Sequence, residues 1–168
     1  MKTLVLGIGN TILGDDGVGV RVVNEAADAV RGSLPSNVDI TFKDTAAAGL
    51  NLMDDILGYE RLVVVDAILA GDENIGKIFR LTLKDLAQTP PSIALHSCGL
   101  AATLELGYTL FQDQVPRDVI VFGVGIHSVE KVTEEINQAI QAAVPEMVKM
   151  LILELMPPEL TELPPPNF

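Results

Sequence analysis

Along the chain, short unbroken apolar runs alternate with longer stretches in which apolar residues return every three or four positions. The first run, residues 3–8, ends in Gly9-Asn10 and predicts a buried strand feeding a tight turn. After Asp15-Asp16, the residues Val18, Val22, Val23, Ala26, Ala27 and Val30 share one broad face, which predicts a helix. The two carboxylates suit the positively polarised start of that helix. Residues 38–42 predict a second strand and residues 47–57 a second helix closed by Gly58. Residues 62–65 are all apolar and predict a third strand covered on both faces, as strands of parallel sheets are. Between Asp66 and the fourth predicted strand, 77–83, lie only about ten residues, too few for a crossover helix. An antiparallel hairpin is therefore expected there. A helix over 95–111 follows the Pro90-Pro91 break, then a fifth strand over 119–124 and a last helix over 133–155, which Pro145 is expected to kink or divide. The alternation predicts a three-layer α/β/α sandwich around a five-stranded, mostly parallel, mixed sheet.

Composition narrows the class. With 168 residues, a single domain over 1–155 is expected. The closing segment 156–168 holds five of the ten prolines and reads as a mobile tail. Eleven basic against 23 acidic residues leave a net charge of −12. That charge repels nucleic acid and anionic membranes and suits a protein that attracts cations. Cys98 is the only cysteine, which excludes an internal disulfide and a four-thiolate zinc site. No apolar run reaches the ~18 residues of a membrane helix, and the apolar opening is too short for a signal peptide. A cytoplasmic protein is expected.

Ligands of open α/β sheets bind beyond the carboxyl ends of the parallel strands. Asn10, Asp15 and Asp16 follow strand one, Asp44 and Thr45 follow strand two, and Asp66 ends strand three. His96, with Ser97 and Cys98, opens the later helix, and His127 and Ser128 follow strand five. Gly7-Ile8-Gly9 sits where a dinucleotide turn belongs, but the third small residue is replaced by Ile12 and the acidic residue arrives only at Asp44. His96, Ser97 and Cys98 are neighbours on a helix and point in different directions, so they make no catalytic triad; Cys98 reads as a small packed residue. His127 reads as a loop histidine at the sheet edge. Asp16, Asp66 and His96 come from three elements and fall at one edge of the sheet. Two carboxylates and one imidazole, with positions left for water or substrate, hold a divalent transition metal. Each residue also has a plain structural reading: Asp16 serving the helix dipole, Asp66 capping a loop, His96 satisfied at a helix start.

The same residues carry a resemblance. LVLGIGNTILGDDGVGVRVV is similar to the opening signature of the hydrogenase maturation proteases, G-x-G-N followed by D-[DE]-x-x-G. DTAAAG after strand two, VVVDAI at strand three, HSCGLAATLELG at the helix and VFGVGI at strand five follow in the same order. The resemblance spans residues 1–155. It implies an endopeptidase that trims a C-terminal extension from the large-subunit precursor of a [NiFe] hydrogenase after nickel insertion. It implies Asp16, Asp66 and His96 as catalytic and metal-binding residues, and a substrate-binding rim of Asp44, Thr45, Gly49 and Asn10. It also implies nickel, carried by the enzyme or brought by the substrate, at a site that would equally take zinc or cadmium.

The family's P-x-S-[IV]-E stretch after strand five is replaced here by Gly125-Ile126-His127-Ser128-Val129-Glu130, and the proline-rich tail has no counterpart. No serine or cysteine stands with a base in the sequence, so water is the expected nucleophile, with a carboxylate as ligand or general base. Two other readings stay open: a non-proteolytic chaperone of the immature subunit on the same scaffold, and a metal-dependent hydrolase of small molecules. A monomer is expected.

Overall fold

The computed structural model describes residues 1–34, 37–88, 97–127 and 132–156. Five strands form one sheet: β1 (Lys2–Ile8), β2 (Asp39–Thr45), β3 (Arg61–Leu69), β4 (Ile78–Thr82) and β5 (Asp118–Ile126), in the order β2-β1-β3-β5-β4. The first four of that order run parallel and β4 is antiparallel to β5. The expected mixed α/β sheet is thus present, with one correction. β4 does not pair with β3; β5 is inserted between them, with Ile78 opposite Val124 and Thr82 opposite Ile120. The short connection does reverse the chain, but β3, apolar on both faces, takes a parallel neighbour on each side.

Period-two alternation divides each central strand between two cores. Val63, Val65 and Ala67 of β3, with Val5 and Phe122, face α1 (Val18–Ala29) and α5 (Gln138–Leu155). Leu62 and Val64, with Leu4, Leu6 and Ile8, face α2 (Met53–Ile56) and α4 (Ser97–Leu110). At the amino-terminal edge of the sheet, Arg61 Nε lies 2.9 Å from Asp118 Oδ2, and its Nη1 donates to the Glu154 carbonyl at the end of α5. Glu154 also accepts from Arg80 Nε at 2.9 Å. Cations at a helix carboxyl end complement its dipole, so this cluster ties α5 to two strands at the edge away from the candidate chemistry.

Several boundaries differ from the sequence pattern. The second helix is a 3-10 turn, Gly49–Leu52, continued by α2, and it ends before Gly58, whose φ of 82° closes it as expected. The last helix begins at Gln138, five residues late, because Thr133 pairs with Leu13 instead. Pro145 lies inside α5 without dividing it. One short helix, α3 (Leu83–Gln88), is not anticipated by apolar periodicity. It starts with a capping box. Thr82 N–H and Oγ1–H donate to Asp85 Oδ2 at 2.8 and 2.7 Å, and Asp85 N–H reaches Thr82 Oγ1 at 3.4 Å. The tail from 157 onward lies outside the described residues.

Those Thr82 hydrogen bonds hold the Asp85 carboxyl below its ordinary range. A depressed carboxyl stabilises the fold above its unfolded-state value and loses that contribution as pH falls through its folded-state value. Amide exchange at 84–86 is therefore expected to be slow near neutral pH and, once corrected for intrinsic rates, to accelerate below about pH 4. The acceleration should already be present at neutral pH in Asp85→Ala.

Candidate active site

The loop from β1 to α1 is built on backbone contacts that only glycine permits. A Cβ on Gly19 would lie 2.4 Å from the carbonyl oxygens of both Ile8 and Val65, and one on Gly7 would lie 2.7 Å from Gly19 O. The first turn of α1 therefore rests directly on the end of β1 and the middle of β3. Gly9, at φ 147°, faces Asp16, whose carbonyl oxygen would be 1.9 Å from an added Cβ. In a dinucleotide turn the corresponding space admits a pyrophosphate. Here the chain's own Asp16 occupies it, which accounts for glycines at fingerprint positions without a nucleotide.

Asp15 and Asp16 lie in a 3-10 turn, Gly14–Gly17, ahead of α1. They turn apart. Asp16 is 3% exposed, and its Oδ2 accepts the Asn10 N–H at 2.7 Å. It folds back toward the end of β1 instead of capping α1. Asp15 is directed outward, where its Oδ1 accepts the Asn137 N–H at 2.6 Å.

Asp66 is fully buried, and its Oδ1 accepts the N–H of Ala67 at 2.8 Å. Parity with Leu62 and Val64 places it on the α2/α4 face, at the outer end of that core. Gly123 is its partner on β5. The 3-10 turn that carries Asp16 packs against β3. Buried carboxylates on adjoining elements, each oriented by a backbone N–H, offer hard oxygen donors to a divalent cation and fit such an ion chemically. Among the described residues, no three His, Cys, Asp or Glu side chains are grouped to hold a metal. His96 lies outside the described residues, as does Ser128. The side chains of Ser97 and Cys98 are likewise outside what is described.

Local contacts place the residues expected to form a substrate rim. Thr45 O accepts the Gly9 N–H at 3.1 Å, and Thr45 Oγ1 accepts the Ala47 N–H at 3.0 Å, so this residue braces the turn. Asn10 Oδ1 accepts the Ile12 N–H at 3.2 Å, closing an Asx turn. Gly49, at φ 58°, lies against the first turn of α4, since a Cβ on Gly99 would be 3.0 Å from Gly49 N. Asp44 stands apart: it shares parity with Ile40 and Phe42, which pack on the α1 side, whereas Asp66 faces α4. It is exposed on the edge strand, two strands and about 10 Å from β3. His127 follows β5, and its half-exposed ring has Nδ1 3.5 Å from Asp72 Oδ1, as a loop histidine at the sheet edge. Asn137 and Gly99 escape the sequence reading, which takes Asp15 only as a carboxylate at a helix start. The paired glycine spacing 7/9 and 17/19 was the available signal for the close packing.

The fold is that of a small α/β sheet protein with two buried carboxylates, Asp16 and Asp66, on adjoining elements, and it matches known proteins. The hydrogenase maturation protease family model matches residues 20–154. Hydrogenase 2 maturation protease of Escherichia coli K12 is 31% identical over 155 residues, covering 90% of this chain and 91% of that protein. The structure of the hydrogenase maturating endopeptidase HybD from E. coli superposes with a TM-score of 0.71 at 28% identity, covering 92% of each chain. The fold also matches the [NiFe] hydrogenase maturation protease HybD from Thermococcus kodakarensis, with a TM-score of 0.72 at 18% identity over 93% of this chain and all of that one. The chain belongs to the hydrogenase maturation protease family. It is a hydrogenase maturation endopeptidase. Among the described residues, no helix is long and apolar enough to cross a membrane.

The glycine contacts generate a prediction. Gly19→Ala must push α1 off the strands, so it should cost about 2 kcal/mol in urea unfolding. Peptidase activity should fall further than the lost folded fraction explains, because Asp16 moves with the helix. Gly32→Ala, with open space around its Cβ position, should cost about 1 kcal/mol for its left-handed backbone and leave activity unchanged.

Proposed function

We propose that this protein, as a cytoplasmic monomer, removes the C-terminal extension of a [NiFe] hydrogenase large-subunit precursor after nickel insertion, with Asp16, Asp66 and His96 forming the metal-facing centre. The observation that carries this reading is the pair of buried carboxylates at one sheet edge, each aimed by a backbone N–H, in a chain of this family. A histidine immediately ahead of α4 completes a donor set suited to nickel, and to zinc or cadmium as substitutes. The nickel already inserted in the precursor is part of the substrate in this reading, and its presence is what these carboxylates sense.

A divalent metal bound among these side chains supplies Lewis acidity toward the scissile carbonyl and the attacking water. The chain's own part is positional and proton-handling. Asn10 and Ala67 N–H groups hold the Asp16 and Asp66 carboxylates in fixed planes. One of them takes a proton as water oxygen bonds to the scissile carbonyl carbon. Transfer of that proton to the peptide nitrogen accompanies cleavage of the C–N bond, leaving a new carboxyl terminus and a released peptide. Thr45, Gly49, Asn10 and Asp44 form the rim along which the peptide docks, with Asp44 at its outer edge.

Intact-mass analysis after incubation with nickel-loaded and nickel-free precursor tests this. Wild-type enzyme should release one defined C-terminal peptide from loaded precursor only. Asp16→Asn and Asp66→Asn should remain folded with at least a ~1000-fold loss of cleavage. Full activity in either variant would refute the assignment, and binding with no mass change would favour a chaperone.

A further inference from the structure

Asn137 is the N-cap of α5, and its Oδ1 accepts the N–H of Ala139 at 2.9 Å. A capping box would return the favour through a Glu or Gln at the third helical position. That position is Ile140, fully buried in the core and without an acceptor. The missing acceptor comes from 122 residues earlier in the chain: Asp15 Oδ1 takes the Asn137 N–H at 2.6 Å. Two further bonds lace the same segments. Gly14 N–H donates to Thr133 O at 2.6 Å, and Thr133 N–H donates to Ile12 O at 2.9 Å. Gly14, at φ 58°, admits the contact, since a Cβ there would come within 2.9 Å of Glu135 O. The turn that carries Asp16 is thus held from inside by Gly9 and Asn10 and from outside by the start of α5.

We infer that Asp15 is a positioning residue for the peptidase reaction, acting as a capping acceptor in trans that locks the Gly14–Gly17 turn, and so the Asp16 carboxylate, against the amino terminus of α5. The adjacent acidic residues then have separate tasks: Asp16 faces the reacting groups, and Asp15 fixes where Asp16 stands. The inference rests on the proposed role of Asp16 as an active-site carboxylate. What Asp15 supplies is a hydrogen-bond acceptor in the right place, and an amide oxygen supplies the same. A ligand or proton carrier would need the carboxylate itself.

Asp15→Asn, Asp15→Ala and Asp16→Asn, compared by cleavage kinetics on nickel-loaded precursor and by amide exchange at Asn137, separate these cases. Asp15→Ala should lower kcat about 100-fold with KM little changed, as expected for a displaced catalytic group. Asp15→Asn should stay within about fivefold of wild type, since a neutral acceptor makes a weaker bond of the same geometry. The Asn137 amide should exchange slowly in wild type and Asp15→Asn and quickly in Asp15→Ala. If Asp15→Ala does not fold, the Asn variant decides alone. An Asp15→Asn enzyme as inactive as Asp16→Asn would overturn the inference, as would full activity or a protected Asn137 amide in Asp15→Ala. If wild type itself fails to cut the precursor, the functional reading fails, whereas the exchange pattern still decides whether Asp15 is the capping acceptor.

Discussion

The structure depends on the contact between the first turn of α1, the end of β1 and the middle of β3, backbone against backbone. Gly7 and Gly19 remove the Cβ atoms that would hold helix and strands apart, and Gly9 removes the one that would displace Asp16. A helix normally packs on a sheet about 10 Å away through interleaved side chains. Here its first turn comes down onto the strands, and the loop before it curls over the sheet edge. That descent brings an acidic residue of the β1–α1 loop to the place where β3 presents Asp66. Glycine costs conformational entropy in the unfolded chain, and this site spends it where a side chain would separate the two carboxylates.

The two ends of the sheet are built for different purposes. At the amino-terminal edge, Arg61, Arg80, Glu154 and Asp118 form ion pairs that tie the last helix to β3 and β4. At the carboxyl edge, Asp16 and Asp66 are withdrawn from water, where an ionised carboxylate is costly unless it is well partnered. Backbone N–H groups orient both, and this is the arrangement expected of residues kept for chemistry at some expense of stability. Asp44 lies exposed on the edge strand, with its side chain facing the opposite layer from Asp66.

Much of this was legible in the sequence because it rests on local pattern. The apolar runs at 3–8 and 62–65 had to be central strands, and the valine spacing after residue 18 had to be an amphipathic helix. The sequence pattern ends the third strand at Asp66, whereas β3 runs on to Leu69 and holds Asp66 inside it. Long-range choices were not legible. The short link to β4 fitted a hairpin, and nothing local revealed that β5 would enter between the strands. α3 has too few residues for periodicity to register, although Thr82 and Asp85 spell its capping box. Asp15 looked like a helix-dipole residue, because its partner Asn137 is distant in sequence and only the folded chain brings them together. The glycines stand where a nucleotide fingerprint would begin, and Ile12 and the late Asp44 argue against that reading, but spacing alone does not tell that the protein's own backbone fills the space above them.

The central claim is that Asp16 and Asp66 face one another's ion across the end of the sheet, with His96 as the third donor. Anomalous diffraction from crystals grown with cadmium tests it most directly. The account predicts one strong peak within bonding distance of a carboxylate oxygen of Asp16, one of Asp66 and an imidazole nitrogen of His96, and loss of that peak in Asp66→Asn. A cadmium ion bound elsewhere, or one retained unchanged in Asp66→Asn, would contradict it.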